Sequence, residues 1–202
     1  MSFSHAAPRP NEHGGLVVRG LRKSFLAGVQ GCHARARVLH DVDLDIRAGE
    51  IVGICGAAGS GKTTLLLCLA GLLKPDAGHI IVCGAAPGRL TSYVAPASPN
   101  DSLTPTQRLG RALAAGSPVL LLDGVLADLS TGAGALLGQL ASRGMTIVAA
   151  ERQWMRLEPV VERVMTLHEG TVCTDTLNAV AESAGAKVAS RVAEPNGRGR
   201  YR

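Results

Sequence analysis

Gly56-Ala57-Ala58-Gly59-Ser60-Gly61-Lys62-Thr63-Thr64 meets the G-x-x-x-x-G-K-[ST] phosphate-binding pattern at every fixed position. Outward from it, the apolar run Ile51-Val52-Gly53-Ile54-Cys55 comes before and Leu65-Leu66-Leu67-Cys68-Leu69 comes after. A strand, a glycine loop and a helix start in that order are the context in which the pattern has physical meaning. Glycines at 56, 59 and 61 let successive backbone N–H groups point into one cavity. The helix beginning near Lys62 adds its N-terminal partial positive charge there. Lys62 is placed to bridge the β- and γ-phosphates and stabilise charge in transfer, and the Thr63 hydroxyl to ligate Mg²⁺. The stretch implies binding of a nucleoside triphosphate. Hydrolysis is a separate question.

The chain has 202 residues, enough for one domain with a substantial core. Its 46% hydrophobic content is mostly Ala, Val and Leu, and only 2% is aromatic. Such a composition argues against stacking on single-stranded nucleic acid, which needs exposed rings, and no specific nucleic-acid partner is expected. The net charge of +5 owes much to Arg191, Arg198, Arg200 and Arg202 in a Pro-, Gly- and Asn-containing tail that reads as disordered. The five cysteines (Cys32, Cys55, Cys68, Cys83 and Cys173) form no CxxC pair and no complete disulfide set, which suits a reducing cytoplasm. No apolar run reaches the about 18 residues of a membrane span, so a membrane role is expected to be peripheral, at the inner face and through a partner.

Residues 1–13 read as a disordered lead-in, 14–185 as one nucleotide-binding domain and 186–202 as the basic tail. Val42, Leu44 and Ile46 alternate with Asp43, Asp45 and Arg47, the period of a strand with one wet face, hence antiparallel. Runs 51–55, 119–123 and 145–150 read as strands buried on both faces, and 79–83 as another short strand. Segments 163–167 and 171–173 suggest a closing hairpin around Glu169-Gly170. Helices are expected from the phosphate loop to about Lys74 and at about 106–115, 131–143 and 154–161. The order predicts an α/β fold of the P-loop NTPase type, with a mainly parallel core sheet, helices and an antiparallel β flank. Asp123, ending an apolar strand downstream of the loop, is the second candidate Mg²⁺ ligand.

Together these segments resemble the ATP-binding cassette (ABC) domain of ABC transporters over about residues 14 to 182. Leu21-Arg22-Lys23-Ser24-Phe25 is similar to the segment carrying the family's adenine-stacking aromatic. Val38-Leu39-His40-Asp41-Val42-Asp43-Leu44-Asp45-Ile46-Arg47-Ala48-Gly49-Glu50-Ile51-Val52-Gly53 is similar to the run into the Walker A loop. Leu73-Lys74-Pro75-Asp76-Ala77-Gly78 matches the link after the first helix, and Arg163 to Gly170 the closing hairpin. The resemblance implies ATP and Mg²⁺ as ligands, Phe25 on the adenine, residues 56–64 on the phosphates, and Thr63 with Asp123 on the metal. It also implies a membrane protein or a second ABC-type subunit as partner.

The departures gather at the family's catalytic positions. Where the family places a glutamate to polarise water, Gly124 follows Asp123; the switch-histidine position is Arg152. Glu151 beside it reads as a surface or capping carboxylate rather than a substitute base. The signature loop is reduced to Leu103-Thr104-Pro105-Thr106-Gln107, in which Pro105 supplies no N–H. The interval from Lys62 to Asp123 is too short for the family's helical subdomain, and Tyr93-Val94-Ala95-Pro96-Ala97-Ser98 lacks the family's glutamine. The resemblance thus implies retained ATP binding with weak or lost hydrolysis. A soluble nucleotide-sensing or scaffold protein is the alternative. An unrelated P-loop kinase or GTPase is disfavoured by the absence of an Arg-bearing lid and of an Asn-Lys-x-Asp motif.

Overall fold

The computed structural model describes residues 15–27, 34–98, 101–129, 132–157 and 160–175. The proposed lead-in 1–13 and tail 186–202 therefore lie outside the described residues. Two sheets organise the chain. A three-stranded antiparallel sheet is formed by β1 (Leu16–Ala27), β2 (Ala34–Ile46) and β4 (Ala77–Val82), in the order β2-β1-β4. Between them in sequence come β3 (Ile51–Cys55) and α1 (Lys62–Leu69). The six-stranded sheet adds β5 (Thr91–Val94), β6 (Val119–Asp123), β7 (Thr146–Glu151), β8 (Arg163–His168) and β9 (Thr171–Asp175), in the order β5-β6-β7-β3-β8-β9. All its neighbours run parallel except β8 and β9. Two further helices, α2 (Pro105–Ala114) and α3 (Ala133–Ser142), join the parallel strands.

The period-two rule explains why the central strands read as unbroken apolar runs. Along β6, Val119 and Leu121 face the cluster shared with α1 and the small sheet, while Leu120 and Leu122 face the cluster shared with α2 and α3. Every residue of β6 is therefore buried. In β2, by contrast, Val42, Leu44 and Ile46 turn inward while Asp41, Asp43 and Asp45 stay wet. Gly53 marks close packing of β3, since a Cβ there would lie 3.0 Å from the Leu157 side chain.

α1 is apolar on nearly every side, as a helix between two sheets must be. Leu65, Leu66 and Leu69 are fully buried against both sheets; truncating one such leucine to alanine typically costs about 2–5 kcal/mol. The helix ends at Leu69, earlier than the expected Lys74, because the chain reverses at Gly71 with φ of 70°. The helix expected over 154–161 is instead a single 3₁₀ turn, Trp154–Arg156. β5 was not anticipated as a strand.

The two sheets are tied beside the phosphate loop. His40 N donates to Gly170 O at 2.8 Å, joining β2 to the β8–β9 turn. Arg163 donates to Glu50 Oε1 at 2.8 Å and to Asp45 O at 2.7 Å, fixing β8 against the turn that enters β3. No helix among the described residues is long and apolar enough to cross a membrane.

Candidate nucleotide site

The site forms at the carboxyl ends of β3, β7 and β6, the edge at which open parallel sheets bind ligands. Residues 56–61 run from β3 into α1, and Gly61 is the N-cap in a left-handed conformation with φ of 103°. A Cβ there would lie 3.0 Å from Val38 O, so both backbone angle and space call for glycine. Lys62 is buried, and its ammonium donates to Gly56 O and Ala57 O, both at 2.7 Å, and to Ser60 Oγ at 3.2 Å. Gly56, Ala57 and Ser60 thus hold the lysine inside the loop. Burial pulls the Lys62 pKa below the ordinary lysine range; Cys55, Asp123 and Glu151 oppose that shift, and Arg152 adds to it.

In front of the loop lies a cavity of about 640 Å³, well sized for a small ligand. Lys62, Thr63 and Thr64 of the loop line it together with Asp123, Glu151 and Arg152 from the strand ends beside it. Thr63 is exposed to this space, whereas Asp123 is only 5% exposed. The structure therefore brings the loop, Asp123, Gly124 and Arg152 to one place, though they are scattered in sequence. Phe25 is not in the cavity wall. It stands 42% exposed near the far end of β1, with the Lys23 ammonium 5.6 Å from its ring centre.

Gly124 sits at φ of 62° and donates its N–H to Ala150 O at 2.8 Å. The space a side chain would enter is open, the nearest atom to a Cβ being that of Pro96 at 4.0 Å. Glu151 departs from the surface placement expected of it: β7 runs one residue past the apolar run and carries the carboxylate into the interior, 4% exposed. Its capping role holds, because Oε1 accepts from Leu126 N at 2.9 Å and so ties the segment after β6 to the end of β7. Burial raises the Glu151 pKa, against the lowering effect of the Leu126 N–H and of Arg156.

Tyr93, which the sequence does not mark as a site residue, joins Asp123. Its hydroxyl donates to Asp123 Oδ2 at 2.9 Å. Burial, then the Asp123 charge, pushes the phenol pKa up, so the group stays protonated and remains a donor. In sequence the tyrosine opens the segment Tyr93 to Ser98, which draws attention only for the glutamine it lacks. The pairing depends on β5 and β6 being neighbours, with Tyr93 opposite Leu121. The signature-like segment behaves as a helix cap: Gln107 N donates to Thr104 Oγ1 at 3.2 Å and Thr104 N to Gln107 Oε1 at 2.8 Å, with Pro105 in the first turn. One turn on, Arg108 donates to Ala95 O at 2.6 Å, just past β5.

A glycine loop between strand and helix, its buried lysine, and a carboxylate at the end of a nearby parallel strand define a P-loop nucleotide-binding fold. The family model described as ABC transporter matches residues 39–107. The aliphatic sulfonates import ATP-binding protein SsuB 1 of Nocardia farcinica is 48% identical over 77 residues, 38% of this chain and 26% of the relative. The sulfate/thiosulfate import ATP-binding protein CysA of Pseudomonas aeruginosa is 52% identical over 69 residues, 34% of this chain and 18% of the relative. These matches span about a quarter of the curated relatives' length or less. The fold likeness is broader: the ATP-binding cassette MJ1267 in its ADP conformation superposes with a TM-score of 0.70 at 14% identity, over 90% of this chain and 99% of that one. Over residues 39–107 the chain is similar to the ATP-binding domains of the ABC transporter family, and its fold is that of the solved ATP-binding cassettes.

Proposed function

We propose that the chain binds Mg-ATP through an intact Walker A loop and hydrolyses it weakly or not at all on its own. The observation that carries this is the shared cavity, which Lys62, Thr63 and Asp123 all line. On ATP arrival, the Lys62 ammonium exchanges the carbonyls of Gly56 and Ala57 for phosphate oxygens. Arg152 and Arg156 add positive charge to the same space and offset the triphosphate's charge. The residues 56–64 form the nucleotide cradle, and the domain spans 14–185.

The oxygen donors present suit magnesium. Asp123 Oδ2 is held by Tyr93, the carboxylate lines the cavity, and the Thr63 hydroxyl is exposed to it. Among the described residues no group of three His, Cys, Asp or Glu gathers to hold a metal alone, so phosphate oxygens and water would complete the shell. Bound there, Mg²⁺ would neutralise phosphate charge. Thr63 and Asp123 would hold it there.

What the site lacks is a glutamate directly after Asp123. Gly124 brings no side chain to the cavity, and Glu151, whose Oε1 accepts from Leu126 N, is assigned here as a clip on the segment after β6. The loss of a general base commonly removes about 10²–10⁴ in rate. The chain therefore works as an ATP-holding cytoplasmic subunit, paired with a membrane protein at its inner face or with a second ABC-type cassette that supplies catalytic groups. Equilibrium binding of labelled ATP to wild type and Lys62→Ala tests the cradle. A loss of affinity of at least tenfold in the variant is expected, and equal affinity refutes it. Steady-state phosphate release near the background of a no-protein control is expected for the chain alone.

A further inference from the structure

We propose that Tyr93 is the positioning residue of the metal site: its hydroxyl turns the Asp123 carboxylate so that one oxygen is fixed toward the nucleotide cavity. The inference rests on the assignment of Asp123 as a Mg²⁺ ligand and adds a residue to it.

Three observations carry it. The hydroxyl meets Asp123 Oδ2 at 2.9 Å, and among the described residues it is the one donor to that carboxylate. The contact follows from the sheet. Tyr93 lies opposite Leu121, and both pack in the cluster on the α1 side, so Asp123, two residues further along β6, projects on that same face. A phenol is long enough to cover that diagonal, and a shorter side chain at 93 would stop at Leu121. Third, Asp123 is 5% exposed yet borders the cavity, so its carboxylate has one sheltered and one functional direction. A carboxylate at a strand end rotates freely unless something holds it. With Oδ2 committed to the phenol, Oδ1 is left for a cation or its water. Hydrogen-bond partners of metal-binding groups commonly change metal affinity by about 10–100-fold when removed.

A tyrosine that merely fills the core would affect stability and leave metal dependence alone. The test titrates Mg²⁺ into the full chain with a fluorescent ATP analogue, beginning in EDTA. Tyr93→Phe is expected to bind the analogue in EDTA within about twofold of wild type. It is expected to need roughly tenfold more Mg²⁺ for half of the metal-dependent gain in affinity. Tyr93→Met, which also lacks the donor, is the second variant and carries the same expectation should the first not melt cooperatively. Asp123→Asn is expected to lose the metal-dependent gain. Superimposable Mg²⁺ curves for wild type and the Tyr93 variants, with the gain lost in Asp123→Asn, would overturn the role of Tyr93 and leave Asp123 as ligand. A full gain in Asp123→Asn would overturn both.

Discussion

Replacing Glu151 separates two roles that a carboxylate beside a nucleotide site could have. In the structure it is a clip: Oε1 accepts from Leu126 N at 2.9 Å inside a nearly closed environment. Glu151→Ala leaves that N–H without its partner. A buried donor left unsatisfied costs about 1–3 kcal/mol, and a chain of this size loses about 2–4 °C in Tm per kcal/mol. A fall of about 4–8 °C is therefore expected, corresponding to about 2 kcal/mol. Glu151→Gln keeps an oxygen acceptor in the same place and should melt within about 2 °C of wild type at neutral pH. The pH dependence adds a sign. Burial raises the folded-state pKa above its ordinary value of 4.5. The folded chain therefore holds this proton more tightly than the unfolded chain does. Its contribution to stability is greatest below that ordinary value and declines as pH rises through the raised one. Thermal scans from pH 4.5 to 7.5 should show Glu151→Gln gaining on wild type as pH increases. A glutamine variant as unstable as the alanine variant would refute the clip. A glutamine variant that melts normally but loses a measurable ATPase activity would make Glu151 a base after all.

Thr104→Ala removes one half of the capping box at the start of α2 and should lower stability by about 1 kcal/mol, or 2–4 °C in thermal unfolding. ATP affinity should not change, because neither Thr104 nor Gln107 lines the cavity; a drop of tenfold would show that this segment reaches the nucleotide. Gly124→Glu should cost about 1–2 kcal/mol, the penalty for a side chain at a left-handed φ of 62°, and no more, since the space is open. A Tm loss beyond about 10 °C in differential scanning calorimetry would contradict that packing.

The core of the fold was legible because both faces of the parallel strands are buried, so β3, β6 and β7 appear as unbroken apolar runs. The phosphate loop was legible because its spacing is dictated by phosphate geometry. β5 was hidden by composition. Its four residues include Ser92, a buried polar group paired with Ala112 O and Ser117 Oγ, which no hydrophobic pattern reveals. The early end of α1 turned on the conformation of Gly71, which one letter does not disclose. The burial of Glu151 is hidden in the sequence because it depends on β7 running one residue beyond the apolar run. Tyr93 and Asp123 meet only through strand order, which is a property of the sheet and not of either segment.

β5 also has a consequence for assembly. Among the described residues it is the outer strand of the larger sheet, and such an edge offers unpaired backbone groups to any other chain. Here the offer is small: the strand is four residues long, Arg108 already occupies Ala95 O just beyond it, and Pro96 has no N–H to give. Sheet extension from one molecule into the next is thereby discouraged on this flank. A protein that binds there would find few backbone groups to pair with and would read side chains and loop shape instead.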